Sequence, residues 1–206
     1  MRISRRKALT GVLAALAMAV TTPARTADVE PAPVVTHQQI SVDGRTLAYT
    51  AEAGRLPIRD VATGEPLGHV FYVAYRVPAP PGAVRPIMFI WNGGPGLPAA
   101  SLHFEGAGPR RVEGDRLVDN ADSWLTDADL VFMDPVATGF SRAVSPQAEK
   151  AFTSWIGDVM ASTEFVRGWV LTHGAEGVPL LIAGQSYGAG RAGGVAYQLL
   201  TRGLNV

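Results

Sequence analysis

One five-residue segment, Gly-Gln-Ser-Tyr-Gly at positions 184–188, constrains the fold of this chain more than any other feature. It follows an apolar run at residues 180–183, which predicts a buried strand, and precedes residues 190–200, which predict a helix. Small residues on both sides of a serine permit a tight strand-to-helix turn that lifts the hydroxyl clear of the sheet. The segment predicts a nucleophile elbow with Ser186 as the nucleophile. The alternative is an ordinary glycine turn that carries a surface serine.

The composition of the chain predicts a folded domain and excludes several kinds of partner and site. With 206 residues, 47% of them hydrophobic and 17% charged, the chain is expected to form one folded domain. Eighteen basic and eighteen acidic residues cancel, so no nucleic-acid partner is predicted. The absence of cysteine excludes disulfides, thiolate metal sites and a cysteine nucleophile. The four histidines have no metal-binding spacing, and we expect neither a metal nor another cofactor.

Four short apolar runs predict strands that end at turns or at loops rich in glycine or proline. They lie at residues 70–75, 87–91, 129–133 and 180–183. The last three lack polar alternation, which indicates strands buried on both faces of a parallel sheet. Helical spacing over residues 152–171 predicts a crossover helix, and alternation over residues 39–75 predicts antiparallel edge strands. The predicted fold class is α/β, a mostly parallel sheet with flanking helices.

The first 27 residues have the order typical of a bacterial export signal. Positions 2–7 are mostly basic, positions 11–20 form an uncharged run rich in alanine, and small residues follow as far as Ala27. A bilayer span needs about twenty apolar residues, so we expect cleavage rather than a retained membrane anchor. The arginine pair at positions 5–6 also resembles a twin-arginine signal, and both export routes stay open. The mature chain is expected in the periplasm or outside the cell, with no integral membrane segment.

A second glycine-rich segment, Asn-Gly-Gly-Pro-Gly at residues 92–96, follows the strand predicted at residues 87–91. Acyl transfer needs two backbone N–H groups directed at the developing oxyanion, one after the nucleophile and one in an early strand loop. Tyr187 can supply the first. The Gly-Gly pair can supply the second, because a backbone without side chains can approach the substrate closely. In the absence of the elbow, a plain Gly-Pro turn would be the simpler interpretation.

Three segments in order resemble the serine carboxypeptidase family of α/β-hydrolases. They are residues 91–96, residues 134–141 with the sequence Asp-Pro-Val-Ala-Thr-Gly-Phe-Ser, and residues 184–188. Their order and spacing also match. The resemblance implies an α/β-hydrolase fold, a peptide substrate with a free C-terminus, and a peptidase domain whose N-terminal portion is residues 28–206.

The resemblance also implies a role for individual residues. Ser186 corresponds to the nucleophile, and Gly94 and Tyr187 correspond to the oxyanion N–H donors. The residues that correspond to the set holding the substrate's terminal carboxylate are Asn92, Gly93, Glu105 and Gln185. The chain departs from the family pattern by one extra residue between Glu105 and the Gly-Pro pair at residues 108–109.

A second departure lies at Gln185, where the family commonly has glutamate. A glutamate must be protonated before it can donate a hydrogen bond to a carboxylate, which favours acidic conditions. A glutamine amide donates without taking up a proton. We therefore expect a weaker requirement for low pH than the family pattern implies. The alternative is that Gln185 only packs the turn.

The catalytic triad cannot be completed in the order that the fold requires. α/β-Hydrolases supply the nucleophile, the acid and the histidine in that order along the chain, and no histidine, aspartate or glutamate follows Ser186 here. Asp134, Asp158 and all four histidines lie upstream. The sequence is therefore expected to be an incomplete protein that lacks its C-terminal part and does not turn over by itself.

Other functions stay open alongside the carboxypeptidase. A prolyl aminopeptidase also uses a Gly-Gly-Pro-Gly loop, but usually with histidine before it and tryptophan after the serine, where this chain has Asn92 and Tyr187. An esterase, or an acyltransferase on the carboxypeptidase scaffold, would use the same nucleophile. A secreted relative without catalysis is the remaining alternative, and the missing base favours it.

Overall fold

The computed structural model describes residues 30–60 and 62–206, so the export signal predicted at residues 1–27 lies outside the described part. The described residues form nine strands: β1 Val34–Val42, β2 Arg45–Arg59, β3 Pro66–Arg76, β4 Ile87–Trp91, β5 Arg110–Glu113, β6 Arg116–Asp119, β7 Asp129–Met133, β8 Arg142–Ala143 and β9 Leu180–Gly184. The α-helices are α1 Pro146–Phe152, α2 Trp155–Thr172 and α3 Tyr187–Thr201. A π-helix covers Leu102–Ala107, and a 3₁₀ helix covers Trp124–Thr126.

Seven strands form one mixed sheet in the order β1-β2-β3-β7-β4-β9, with β8 beside β3. Strands β4, β7 and β9 are parallel, whereas the four other pairings are antiparallel. The α/β class is confirmed, and the prediction of a mostly parallel sheet is wrong. A tight turn at Asp43 and Gly44, both with positive φ, folds β1 back onto β2. Asp-Gly turns favour such hairpins. Because this turn adds two long antiparallel strands, antiparallel pairings outnumber parallel ones in the sheet.

The sheet has a hydrophobic core on each face. Alternate residues of β7 point to opposite sides, with Val131 and Met133 in one core and Leu130 and Phe132 in the other. Helices α1, α2 and α3 cover the first face. The segment that follows β4 and the 3₁₀ helix cover the second. Strands β4 and β7 thus run through the middle of the molecule, as their apolar sequences predict.

Strand β9, which leads into the elbow, lies at the edge of the described sheet. Leu180 is buried, but Leu181 is 42% exposed and the rest of the strand is only partly buried. The prediction that this run is buried on both faces is therefore wrong. Among the described strands β9 pairs with β4 alone, and the Leu180 N–H donates instead to the carbonyl of Asn205 at 2.8 Å.

The crossover helix predicted at residues 152–171 corresponds to α2, which begins three residues later, and the predicted first residue ends the separate short helix α1. Helix α1 ends at Phe152, and α2 begins after Ser154, whose side chain accepts a hydrogen bond from the Gly157 N–H at 3.1 Å. Trp169 packs edge-on against Phe89 of β4, with ring centroids 5.5 Å apart. This contact fixes α2 on the sheet behind the elbow. Within residues 30–60 and 62–206, no helix has the length and apolar character needed to cross a membrane.

Candidate active site

Ser186 lies on a strained strand-to-helix turn. Its backbone angles are φ 57° and ψ −124°, a conformation that side-chain-bearing residues rarely adopt. A side chain at Gly184 would collide with the carbonyl of Gly188, which explains why small residues flank the serine. Ser186 is exposed, and its hydroxyl makes no cap hydrogen bond to α3. The hydroxyl is therefore presented to solvent at the N-terminus of a helix, as the sequence predicts.

The glycine-rich loop, defined as residues 92–99, packs directly on this turn. A Cβ on Gly93 would lie 2.5 Å from the carbonyl oxygen of Gln185 and 2.8 Å from the nitrogen of Tyr187, so only glycine fits. The Gln185 N–H donates to the carbonyl of Trp91 at 3.3 Å, and the Trp91 indole donates to Gly188 at 2.9 Å. These contacts hold the loop after β4 and the turn after β9 as one unit.

Several backbone N–H groups in this unit have no recorded hydrogen-bond acceptor among the described residues. Those of Gly93, Gly94 and Tyr187 are among them. Buried N–H groups are rarely left without an acceptor, and Gly93 is buried. Tyr187 begins α3, where the helix dipole adds positive potential. The cluster can bind negative charge next to the Ser186 hydroxyl.

Asn92 is almost fully buried, and each polar atom of its side chain has a partner. Its amide nitrogen donates to the Ser101 hydroxyl at 2.6 Å and to the Gln185 side-chain oxygen at 3.1 Å. Its oxygen accepts from the Leu102 N–H at 3.2 Å. Gln185 is exposed, and with its oxygen held by Asn92 its NH₂ group is left as the available donor. The structure thus brings Asn92 and Gln185 together, as predicted.

Glu105 lies on the π-helix that follows the glycine-rich loop, and it is exposed. Among the described residues no hydrogen bond joins its side chain to Asn92 or Gln185, so no recorded contact ties Glu105 to the cluster. A π-helix accommodates one more residue than the equivalent α-helical turn. Its presence here fits the extra residue noted in the sequence before the Gly-Pro pair.

An ion pair beneath the loop was missed at the sequence level. Arg191 of α3 is 1% exposed, and its Nε donates to both carboxylate oxygens of Asp158 at 2.9 Å. Its Nη1 donates to the carbonyl of Asn92 at 2.9 Å. Burial raises the pKa of the Asp158 carboxyl, while the Arg191 charge acts in the opposite direction. A lone arginine in a stretch of small residues was the available signal, because a buried charge needs a partner.

Asp134 holds the other end of the glycine-rich loop. Its two carboxylate oxygens accept from the N–H groups of Ala99, at 2.9 Å, and Phe140, at 3.1 Å. A Cβ on Gly139 would collide with this carboxylate. Burial raises the pKa of Asp134, and the two N–H donors oppose that shift. The segment 134–141, which the sequence marked only as a motif, therefore positions the loop.

None of the four histidines hydrogen-bonds Ser186 in the described part of the chain. His103 is buried, contacts the Tyr75 hydroxyl at 2.6 Å, and has a pKa lowered by burial to about 4. His173 bonds Glu52 at 2.9 Å and the carbonyl of Trp169. His69 pairs with Glu30, and His37 lies exposed on β1. The general base for Ser186 does not come from these contacts.

Comparison with known proteins finds a matching family model and several curated relatives. A model of the family described as serine carboxypeptidase matches residues 51–202. The chain is 34% identical to serine carboxypeptidase-like 36 of Arabidopsis thaliana over 62% of its own length. It is 30% identical to the pheromone-processing carboxypeptidase KEX1 of Zygosaccharomyces rouxii over 66% of its length, and 49% identical to that of Verticillium alfalfae over 29%.

These alignments cover 27%, 20% and 10% of the respective relatives, so the chain corresponds to a minor part of each. The family match extends over more than half of the chain and includes the glycine-rich loop, the segment 134–141 and the elbow. On this evidence the chain belongs to the serine carboxypeptidase family.

Proposed function

We propose that this protein is a serine-type carboxypeptidase of the α/β-hydrolase fold, which releases C-terminal residues from peptides through an acyl-enzyme. The observation that carries the proposal is the exposed Ser186 hydroxyl on a strained turn, packed against backbone N–H groups that have no acceptor among the described residues. Residues 28–206 form the N-terminal portion of the peptidase domain.

In the proposed reaction the Ser186 Oγ attacks the carbonyl carbon of the last peptide bond. The new negative charge on the carbonyl oxygen is stabilised by the N–H groups of Tyr187 and Gly94 and by the dipole of α3. The serine proton passes through a general base to the leaving amine as the C–N bond breaks. Water then hydrolyses the ester on Ser186. None of the histidine contacts described above provides this base, so we propose that the triad histidine and acid lie outside these 206 residues and that the chain alone does not turn over.

The free C-terminus of the substrate is recognised by four residues in this proposal: Asn92, Gly93, Glu105 and Gln185. Gln185 donates from its exposed NH₂ group, and Gly93 donates from its N–H. Asn92 uses its side chain to orient the Gln185 amide. Because an amide donor does not titrate, the contribution of Gln185 to this recognition does not depend on acid.

Residues 1–27 direct export in this proposal, with removal of the signal and a mature enzyme in the bacterial periplasm or outside the cell. The basic start and the short apolar run of the sequence support it. Mass spectrometry of the mature N-terminus, purified from the exported fraction, tests it. An intact N-terminus at Met1 in the cytoplasmic fraction would contradict it.

Peptide release tests the proposed activity. The protein is expressed from its complete gene, and release of the last residue from N-blocked peptides is followed together with a Ser186→Ala variant. We expect release by the wild type and a loss of at least about a thousandfold in the variant. Ser145→Ala, at an exposed serine that caps α1, is the matched control and should keep nearly full activity.

The same assay separates the alternatives. Cleavage of simple esters without peptides would indicate an esterase, release of an N-terminal proline would indicate a prolyl aminopeptidase, and acyl transfer to an added alcohol would indicate an acyltransferase. Equal activity of wild type and Ser186→Ala would refute the nucleophile assignment.

The role of Gln185 is tested by the pH dependence of KM. In the wild type, KM for a free-acid peptide should change less between about pH 4 and 6 than it does in Gln185→Glu. In Gln185→Glu it should rise as pH increases through the carboxyl range near 4.3, because the ionised side chain repels the substrate. Wild-type activity that rises steeply below about pH 5 would contradict the proposal.

A further inference from the structure

Arg191 lies on α3, but its side chain contacts the glycine-rich loop. The residue sits one turn into α3, is 1% exposed, and lies with its guanidinium carbon 5.2 Å from the centre of the Tyr187 ring. Its Nη1 donates to the carbonyl oxygen of Asn92 at 2.9 Å. A buried, charged donor thus bonds to one backbone carbonyl of the site.

That carbonyl belongs to the same peptide unit as the N–H of Gly93. A charged donor on the oxygen of a peptide polarises the whole unit, which makes its N–H a stronger donor to an anion. Gly93 packs against the elbow, and its N–H has no acceptor among the described residues. The polarised N–H is therefore free to bind a ligand.

The net charge of the arrangement does not by itself attract the substrate. Asp158 pairs with the Arg191 Nε at 2.9 Å and offsets the positive charge. Arg191 instead fixes the orientation of the Asn92–Gly93 peptide and polarises it, and Asp158 holds the guanidinium in place. Both effects act through Gly93, and neither requires Arg191 to touch the substrate.

We propose that Arg191 is a positioning residue for recognition of the substrate's terminal carboxylate, which it strengthens by polarising the Asn92–Gly93 peptide. The inference rests on the proposed carboxypeptidase function. It predicts that Arg191 governs the preference for substrates with a free carboxylate over the same substrates with a neutral C-terminus.

The test compares two substrates that differ only at the C-terminus. An N-blocked dipeptide is offered as the free acid and as the C-terminal amide, and the preference is the ratio of the two kcat/KM values. The protein is expressed from its complete gene. The main variant is Asp158→Asn/Arg191→Gln, which removes both buried charges together and so leaves neither unpaired. Arg191→Lys is the second variant, since lysine keeps the charge but loses the planar fork.

We expect the preference for the free acid to fall by about tenfold in the double variant, which corresponds to ~1.4 kcal/mol, mainly through KM for the acid. Arg191→Lys should give an intermediate loss. Arg142→Gln is the matched control, because Arg142 also donates to loop carbonyls, those of Gly139 and Ser141 at 2.7 Å, but not to the Asn92–Gly93 peptide. Its preference should equal that of the wild type.

Two results overturn the inference, and they are distinguishable. If the wild type prefers the free acid and both Arg191 variants keep that preference within twofold, the role of Arg191 is refuted while the proposed function stands. The same holds if the acid and amide rates fall equally, since a purely structural role would produce that result. If the wild type releases nothing from either substrate, the proposed function fails and the inference fails with it.

Discussion

Two buried aspartates hold the two ends of the glycine-rich loop, and they do so with different partners. Asp158 acts at the start of the loop through a charged intermediary, Arg191, which donates to the carbonyl of Asn92. Asp134 acts at the end directly, by accepting from the N–H of Ala99. One carboxylate is paired with a cation, whereas the other is paired only with neutral N–H groups.

This difference predicts how each end of the glycine-rich loop should respond to mutation. A buried ion pair that loses one partner leaves an uncompensated charge, which is costly. A buried carboxylate that loses its charge leaves only neutral donors to be satisfied, which costs less. Loss of either aspartate should loosen the same loop, but the start of the loop should be the more sensitive end.

The largest effect is expected from Asp158→Asn. The variant leaves the Arg191 guanidinium buried without its counter-ion, and we expect a loss of about 3–5 kcal/mol in the free energy of unfolding. Chemical denaturation of wild type and variant measures it. Addition of Arg191→Gln to the variant should recover much of the loss. A single-variant loss below about 1 kcal/mol would show that the pair is not needed to hold the start of the loop.

A smaller effect is expected from Asp134→Asn. The carboxylate accepts one hydrogen bond on each oxygen, from Ala99 and Phe140, whereas an asparagine has a single acceptor oxygen. One N–H is left unsatisfied, at a cost of about 1–3 kcal/mol. Asp115→Asn is the control, since its side chain is 97% exposed, and it should change stability by less than about 0.5 kcal/mol. A loss equal to that of Asp158→Asn would erase the distinction between the two ends.

The smallest effect is the pH dependence at Asp134. Burial raises the pKa of this carboxyl above its ordinary value, so the folded protein takes up the proton at a higher pH than the unfolded chain does. The contribution of Asp134 to stability is therefore fully present below the ordinary pKa and declines as pH rises through the raised pKa. The wild type should gain stability relative to Asp134→Asn as the pH is lowered from 7 to about 4. If the stability difference between wild type and Asp134→Asn instead shrinks on acidification, the pKa of Asp134 is lowered by folding rather than raised.

Parts of the fold could be predicted from local sequence because their signals are local. The apolar runs at residues 87–91 and 129–133 coincide with β4 and β7, since both strands are buried in the middle of the sheet. The elbow at Ser186 was visible because its turn demands small neighbours at fixed positions. Strand order was not predictable in the same way, and the long β1–β2–β3 meander made the sheet mixed.

The supports of the site could not be predicted, because their partners lie far apart in the chain. Asp158 and Arg191 are 33 residues apart, and Ala99 and Asp134 are 35 apart. Neither pairing leaves a pattern of residue spacing, and each arises only when α2, α3 and the loops fold against β4. By contrast, the family resemblance had assigned Asn92 and Gln185 to one site, and a hydrogen bond joins them although they are 93 residues apart.

Covalent labelling with a fluorophosphonate tests the central claim most directly, because such reagents react with an activated serine. The protein expressed from its complete gene is labelled, digested and mapped by mass spectrometry, with Ser186→Ala beside it. We predict a single label on Ser186 and none in the variant. A label on another serine, or peptide release that persists without labelling of Ser186, would contradict the account.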